Sequence, residues 1–298
     1  MSQQFTGVLA AVVTPMNDDL SIDEKGVAAQ VDHILSGGCA GVVPGGSTGE
    51  FTTLTTAERK RVNELYIEAA RGRGAVVAGT GALSTAETID LTRHAADAGA
   101  DAVMVVPPFY GDMDWAGLLA HYGAISDAVD IPIMYYNIPA ATGVDLTPEQ
   151  FAELGRTTNV TCYKDTGGDA TKLTQVFENH ADDITVINGW DTLTFYGLSL
   201  GAKASVWGTA SVIPGLCAQL YDTLAVQGDL ARGRELWTTI FPICEFLEAH
   251  NYPAGIKAGT ELVGVGAGPA RPPVQPLAPQ YRAEFAGLLR AAGVDVVE

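Results

Sequence analysis

Eight short apolar runs recur along the chain, and each is bounded by glycine, proline or asparagine residues. The runs cover residues 8–14, 41–44, 75–79, 102–106, 131–136, 160–163, 184–187 and 204–207. Their apolar side chains follow one another without the alternation that a sheet with one solvated face would give. Continuous apolar character is typical of parallel strands that are covered on both faces. We therefore predict eight parallel β-strands.

Segments with helix start signals lie between these runs. Thr55 followed by Glu58, and Ser84 followed by Glu87, have the spacing of capping boxes. Pro148 stands where a proline opens a helix. Strands that alternate with helices in this way predict an α/β chain, and eight such units favour a (β/α)8 TIM barrel over an open doubly wound sheet.

The chain continues beyond the eighth strand into a further helical segment. Residues 219–226, 230–249 and 280–292 read as helices, and the Pro- and Gly-rich residues 266–279 read as an ordered loop. No linker in the sequence separates an independent domain. We therefore predict a barrel over residues 1–215 and a C-terminal helical segment, residues 216–298, that packs on the barrel.

The composition supports a large buried core and argues against two classes of partner. Of the 298 residues, 47% are apolar, which is enough to fill such a barrel. The formal net charge of -18 argues against nucleic acid and against an anionic membrane surface, because both bind clustered Lys and Arg. The sequence has neither a basic leader nor an apolar run of about 20 residues. We therefore predict a cytoplasmic protein that acts on a small molecule.

Neither a metal nor an organic cofactor is predicted. The four cysteines form no C-x-x-C pair, and the five histidines form no H-x-H or H-E-x-x-H pattern. The turn at Gly79-Thr80-Gly81 lacks the third glycine of a dinucleotide-binding fingerprint. The loop at residues 45–50 lacks the lysine of a phosphate-binding P-loop.

Chemistry in such barrels lies at the carboxyl ends of the strands, and Lys164 is the unusual residue there. A lysine inside an apolar strand is costly unless it is paired or neutral. Burial favours the neutral amine, which is the form that attacks a ketone to give an imine. The alternative is a structural lysine that reaches solvent at the strand end or pairs with Asp165. The residues alone leave both interpretations open.

Tyr136 lies at the end of the strand that precedes the one with Lys164. A phenol at that position is able to move a proton while the imine forms and while a carbon–carbon bond is cleaved. The alternative is a packed barrel tyrosine, which the residue pattern alone favours.

A candidate carboxylate cradle follows the second strand. Gly46, Ser47 and Thr48 form a turn that offers two hydroxyls and free N–H groups, which suit an anionic oxygen. Thr166 and Gly189 follow the sixth and seventh strands and are predicted to contact the same substrate.

Three motifs carry a resemblance to a known family. They are Gly-Ser-Thr-Gly-Glu at residues 46–50, Tyr-Asn-Ile-Pro at residues 136–139 and Tyr-Lys-Asp-Thr at residues 163–166. In this order and spacing, the chain resembles the dihydrodipicolinate synthase / N-acetylneuraminate lyase family of Schiff-base-forming aldolases. The resemblance extends over nearly the whole chain and favours the catalytic interpretation of Lys164.

The resemblance implies a (β/α)8 barrel with C-terminal helices, assembled as a homotetramer that is a dimer of dimers. Lys164 matches the lysine that forms a Schiff base with pyruvate or a longer 2-oxo acid, and Tyr136 matches the tyrosine that shuttles protons. Ser47 and Thr48 match the residues that bind the substrate carboxylate. Tyr110 matches a second tyrosine, which reaches across from a neighbouring subunit and is linked to the first through the serine. The family needs no metal or organic cofactor, because the protonated imine is itself the electron sink.

Departures from the family's patterns bear on the substrate. Dihydrodipicolinate synthases carry an arginine, which grips the carboxylate of the second substrate, where this chain has Ala141. Sialic acid lyases hold the polyol tail of the sugar with an Asp-Glu pair and a later serine. This chain has Asp191 followed by Thr192, and Gly208 at the serine position. Neither substrate is therefore expected.

Other stretches are similar to different members of the family. Residues 164–169 and 139–146 are similar to those of 4-hydroxy-2-oxoglutarate aldolases, and residues 251–259 to those of keto-deoxyglucarate dehydratases. We therefore expect a lyase that cleaves a 4-hydroxy-2-oxo acid to pyruvate and an aldehyde. Three alternatives stay open: a dehydratase of a 2-keto-3-deoxy sugar acid, a dihydrodipicolinate synthase, and a non-catalytic pyruvate-binding homologue.

Overall fold

The computed structural model describes residues 5–297, and its eight parallel strands close into a barrel in sequence order, with the last strand paired to the first. The strands are β1 Gly7–Ala11, β2 Gly41–Val43, β3 Ala75–Gly79, β4 Ala102–Val105, β5 Ile133–Asn137, β6 Val160–Asp165, β7 Thr185–Asn188 and β8 Ala204–Trp207. Helices lie between successive strands. The predicted (β/α)8 barrel is confirmed.

Several strand boundaries differ from the prediction by two or three residues. β1 ends at Ala11, three residues before the predicted end. β6 runs on to Asp165, two residues beyond the predicted end at Tyr163, because its last residue is still paired with Asn137 of β5. The Asn137 Nδ2 atom donates to the Asp165 Oδ1 atom at 2.6 Å, which closes this end of the ladder. The carboxyl end of β6 is therefore completed by the polar Asn137–Asp165 pair, whereas the strands were predicted from runs of apolar residues.

The barrel interior is filled by a cluster of mostly apolar side chains. Its fully buried members include Leu9, Val43, Val77, Met104, Met134, Cys162, Ile187 and Val206. Two further apolar clusters lie outside the strands, where the helices cover the sheet. The barrel interior is thus a packed core, and open space lies above this core at the carboxyl ends of the strands.

All three predicted start signals mark the beginning of a helix in the structure, although one of the two predicted capping boxes is incomplete. The helices are α1 Glu24–Ser36, α2 Thr56–Ala70, α3 Thr85–Ala98, α4 Trp115–Ala128, α5 Pro139–Thr142, α6 Pro148–Thr157, α7 Ala170–His180, α8 Thr194–Ser199 and α9 Pro214–Tyr221. Thr55 and Glu58 form the predicted capping box. Ser84 caps α3, but the Glu87 carboxylate accepts instead from the Thr56 hydroxyl of α2, so the second half of that box is missing.

Three more helices follow α9 and a π-helical turn at Asp222–Val226. They are α10 Leu230–Ala249, α11 Tyr252–Leu262 and α12 Pro279–Ala291. The helix predicted over residues 219–226 is therefore the end of α9 continued by the π turn. The division predicted after residue 215 falls inside α9, which packs on β1 and α1. Among residues 5–297, no helix is both long enough and apolar enough to cross a bilayer.

His121 is a buried histidine on α4, with 4% of its surface exposed. Its Nδ1 atom is 2.9 Å from the Thr85 hydroxyl, and no hydrogen-bond partner for Nε2 lies among residues 5–297. Burial lowers the pKa of His121 from 6.5 to about 4. The folded protein therefore keeps this ring neutral at a pH where the unfolded chain takes up a proton.

We predict that His121 makes the fold sensitive to acid. The free energy of unfolding should fall as the pH drops from 6.5 towards 4, by up to about 3 kcal/mol from this group alone. In the His121→Gln variant that part of the decrease should be absent. Urea unfolding followed at several pH values measures it, with His94→Gln on α3 as the control. Equal acid sensitivity of wild type and His121→Gln would contradict the prediction.

Candidate active site

Lys164 and Tyr136 are paired neighbours on β6 and β5. Paired residues of parallel strands point to the same face of the sheet, and here that face is the barrel interior. The Lys164 Nζ atom lies 4.3 Å from the centroid of the Tyr136 ring, and each residue is 5% exposed. The structure therefore brings the two predicted catalytic residues into direct contact.

Lys164 also packs against the backbone of the next strand. A Cβ atom added to Gly189 would lie 2.4 Å from the Lys164 Cγ atom and 2.7 Å from its Cε atom. The Gly189 amide donates to the Asp165 carbonyl at 2.8 Å, which fixes the glycine in place. The position thus requires a residue without a side chain, because any other would displace the amine.

Asp165 does not pair with Lys164. Its carboxylate accepts from the Asn137 side chain and, at 3.1 Å, from the Gly167 amide. Burial raises the pKa of Asp165. Among residues 5–297, no carboxylate lies within 4.0 Å of the Lys164 amine. The structural alternative of a Lys164–Asp165 ion pair is therefore not what the chain forms.

The predicted carboxylate cradle is a turn of 3-10 helix, Ser47–Gly49, at the end of β2. Ser47 and Thr48 line the same cavity as Lys164. Gly46 lies behind them, where an added Cβ atom would be 2.9 Å from the Met104 Cε atom. Glu50 ends the turn with a φ of 56°, in the left-handed region that residues other than glycine rarely adopt.

A buried ion pair holds Glu50 in this conformation. The Lys257 Nζ atom of α11 lies 2.7 Å from the Glu50 Oε1 atom, and the two side chains are 4% and 0% exposed. The amide of Arg271 donates to Glu50 Oε2 at 2.8 Å, and its guanidinium binds Glu58 at the start of α2. Burial lowers the pKa of Lys257. The C-terminal segment therefore packs against the cradle and fixes the conformation of its last residue, Glu50.

The cavity above Lys164 has a volume of about 320 Å³. Its lining includes Ser47, Thr48, Tyr136, Ile138, Ala140, Lys164, Thr166, Gly189, Trp190, Asp191, Trp207, Gly208, Glu248 and Tyr252. Every predicted site residue except Gly46 and Tyr110 is in this set. Tyr110 is 89% exposed on its own chain. The only basic side chain in the set is that of Lys164.

Asp191, at the end of β7, forms one side of the cavity together with two residues that strand-end analysis did not identify, Glu248 and Tyr252. Asp191 is 4% exposed, and its Oδ2 atom accepts from the Thr209 amide at 3.1 Å and from the Tyr252 hydroxyl at 2.6 Å. Burial raises the pKa of Asp191. Tyr252 and Glu248 come from α11 and α10, outside the repeating βα units. No local sequence signal marks Glu248, and Tyr252 was noted only within the stretch 251–259, since only the fold brings both residues to the strand ends.

Thiol chemistry has no support at this site. All four cysteines are free and buried, and burial raises the pKa of both Cys39 and Cys162 to about 12. Over residues 5–297, no group of three or more His, Cys, Asp or Glu side chains is placed to hold a metal ion. Within the same residues, the cavity lining contains the Lys164 amine and no cysteine.

Comparison with known proteins gives consistent matches over the whole chain. The profile of the Dihydrodipicolinate synthetase family matches residues 4–292. A 4-hydroxy-tetrahydrodipicolinate synthase of Methanosarcina mazei is 36% identical over 291 residues, which covers 97% of this chain and 99% of the relative.

Two similar crystal structures contain pyruvate. Dihydrodipicolinate synthase of Acinetobacter baumannii, complexed with pyruvate, is 32% identical with a TM-score of 0.93, over 98% of this chain and 100% of that one. YagE, a prophage protein of the dihydrodipicolinic acid synthase family from E. coli K12, also in complex with pyruvate, is 30% identical with a TM-score of 0.92, over 98% and 100%.

We predict that Gly189→Ala disables the amine without unfolding the barrel. The added methyl group must push the Lys164 side chain away, and a displacement of about 1 Å is enough to lower a rate on the order of 100-fold. The measurement is the rate at which pyruvate and borohydride add mass to the protein. Gly123→Ala on α4, where an added Cβ meets nothing within 4 Å, is the matched control. Unchanged labelling in Gly189→Ala would show that the contact is unimportant.

Proposed function

The chain belongs to the dihydrodipicolinate synthetase family, and from this we propose that Lys164 forms a Schiff base with a 2-oxo acid of the pyruvate type. The protein is a lyase of this Schiff-base family. One observation carries the assignment to Lys164: its amine is buried at the floor of the cavity, against the Tyr136 ring, and has no ion-pair partner among residues 5–297. A buried amine that is not held in an ion pair is a good nucleophile towards a ketone.

The proposed reaction follows from the positions of these groups. The Lys164 amine attacks the C2 ketone, and loss of water gives an iminium. Ser47 and Thr48 bind the C1 carboxylate, and Thr166 and Gly189 bound the same space. Proton transfers at the oxygen atoms are assigned to the phenol of Tyr136, which adjoins the amine.

Bond cleavage then uses the iminium as the electron sink. Tyr136 gives its proton to the oxygen that leaves C2 as water, and the resulting phenolate takes the proton of the C4 hydroxyl while the C3–C4 bond breaks. The bonding electrons move into the iminium to give an enamine. The aldehyde leaves. Protonation at C3 and hydrolysis release pyruvate and restore the Lys164 amine. This sequence needs no redox partner, because the electrons return to carbon.

The second half of the substrate is where the proposal and the relatives' names differ. Relatives over the full length are named 4-hydroxy-tetrahydrodipicolinate synthases, a name that the expected 4-hydroxy-2-oxo acid aldolase does not match. That name makes dihydrodipicolinate synthesis a second candidate. The side pocket beside the cradle favours the aldolase, because it contains Ala141 and Thr142 and no cation that would bind a second carboxylate. Cleavage of a 4-hydroxy-2-oxo acid is therefore our first proposal.

Tyr110 is proposed to act on a neighbouring copy of the chain. Its 89% exposure leaves the ring free to enter another subunit, as the family resemblance implies for a homotetramer. Sedimentation of the purified protein tests the assembly. A cytoplasmic location stays a prediction from the sequence.

We predict that pyruvate and borohydride label Lys164 and no other residue. Reduction of the imine gives a stable secondary amine, which peptide mass spectrometry locates. Lys164→Arg should remove the label, because a guanidinium does not form the imine at neutral pH. Lys203→Arg, at an exposed lysine, is the control and should be labelled like the wild type. Absence of a label on wild-type Lys164 would reject the mechanism.

We predict which products separate the candidate reactions. A panel of 4-hydroxy-2-oxo acids should give pyruvate and an aldehyde, followed with lactate dehydrogenase and by mass spectrometry. A dehydratase would give one 2-oxo acid that has lost water. Incubation with pyruvate and aspartate 4-semialdehyde tests the synthase. Consumption of that pair at a higher kcat/KM than any retro-aldol substrate would overturn our first proposal in favour of the second candidate.

A further inference from the structure

Glu248 is an acidic residue that the proposed mechanism leaves unused, although it lines the catalytic cavity. It belongs to α10, which is not one of the helices between barrel strands. This helix packs against the turn Asp191–Leu193 at the end of β7 and so carries the side chain over the barrel mouth. A half-buried carboxylate in this position needs a reason, because burial of a charge is unfavourable.

The Glu248 carboxylate is held in a fixed orientation. Its Oε1 atom accepts from the Thr192 amide at 2.9 Å, and its Oε2 atom accepts from the Thr192 hydroxyl at 2.8 Å. The Trp190 indole donates to the same hydroxyl at 2.9 Å. A two-point contact of this kind positions the group as a built feature of the wall and not as a mobile surface charge.

Asp191 lies on the same turn and provides a second acid at this end of the cavity. Its Oδ2 atom has donors from Thr209 and Tyr252, and no donor to Oδ1 lies among residues 5–297. Burial, together with the nearby Asp191 carboxyl, raises the pKa of Glu248. The carboxyl oxygens of Asp191 and Glu248 give this side of the cavity hydrogen-bond acceptors.

These acceptors determine which aldehyde half would fit. A substrate hydroxyl is able to donate to a carboxylate oxygen, and such charge-assisted bonds are among the stronger ones. A substrate that ends in a carboxylate would face two acids, and Lys164, the only cation in the lining, is already used by the ketone. Its charge would be left unpaired and partly desolvated, which is strongly unfavourable.

We propose that Glu248, acting with Asp191, is a specificity-determining residue that selects an uncharged, hydroxyl-bearing aldehyde half and rejects one that ends in a carboxylate. This inference rests on the proposed retro-aldol function and names its substrate class. The indole rings of Trp190 and Trp207 form the apolar walls beside the acids.

The test compares two probes of opposite character on wild type and Glu248→Gln. They are 2-keto-3-deoxygluconate, which has a neutral hydroxylated tail, and 4-hydroxy-2-oxoglutarate, which has a terminal carboxylate. Wild type should favour the first. In Glu248→Gln, KM for the first probe should rise about tenfold with little change in kcat. The kcat/KM for the second should rise about tenfold, because removal of one negative charge relieves the repulsion.

Controls separate this inference from the proposed function. Glu245→Gln changes an exposed glutamate on the same helix and should leave the ratio of kcat/KM values for the two probes at the wild-type value. Labelling of wild type by pyruvate and borohydride tests the mechanism independently, and its failure would reject both proposals. If labelling succeeds but Glu248→Gln keeps the wild-type ratio, or wild type prefers the carboxylate probe, the specificity proposal alone is wrong.

Discussion

The Lys164 side chain lies between the Tyr136 ring and the bare backbone of Gly189, and the rest of the site is organised around that contact. The contact exists because parallel pairing in a closed barrel places Tyr136 and Lys164 side by side. Asp165, the nearest acid in sequence, is bound to Asn137 and so does not neutralise the amine. Position and availability of the amine thus have separate causes: the strand register sets the first, and the hydrogen bonding of its neighbours sets the second.

The Glu50–Lys257 ion pair is the second constraint, and it connects α11 of the C-terminal segment to the turn after β2. Either of these nearly inaccessible charges would be destabilising without the other. The pair therefore forms only when α11 is docked against the Ser47–Gly49 turn. The amide of Arg271 adds a further donor to the same carboxylate. These contacts hold the left-handed backbone at Glu50. That backbone in turn orients the turn that carries the Ser47 and Thr48 hydroxyls.

The sequence alone was sufficient for what depends on local patterns. Eight continuous apolar runs predicted the barrel, and the strand ends contained Lys164, Tyr136, Ser47 and Thr48 before any contact was known. Glu248 could not be predicted as a cavity residue from the sequence, because it comes near the cavity only through the docking of α10. The extent of β6 was underestimated because side-chain hydrogen bonding, not apolar pairing, completes it. For the second half of the substrate, the sequence argument depends on a single position, Ala141.

The origin of Glu248 on α10 has a consequence for how such an enzyme could change. Lys164 and Tyr136, the proposed nucleophile and proton carrier, are part of strands whose register depends on the neighbouring strands, so alterations there disturb the whole barrel. The distal acid sits on an appended helix that contributes nothing to strand pairing. In the proposed roles of Glu248 and Lys164, substitutions on that helix alter substrate preference while the Lys164 site stays intact. Chemistry and selectivity are thus separable by mutation, and directed evolution of new substrate ranges should begin on the appended helix.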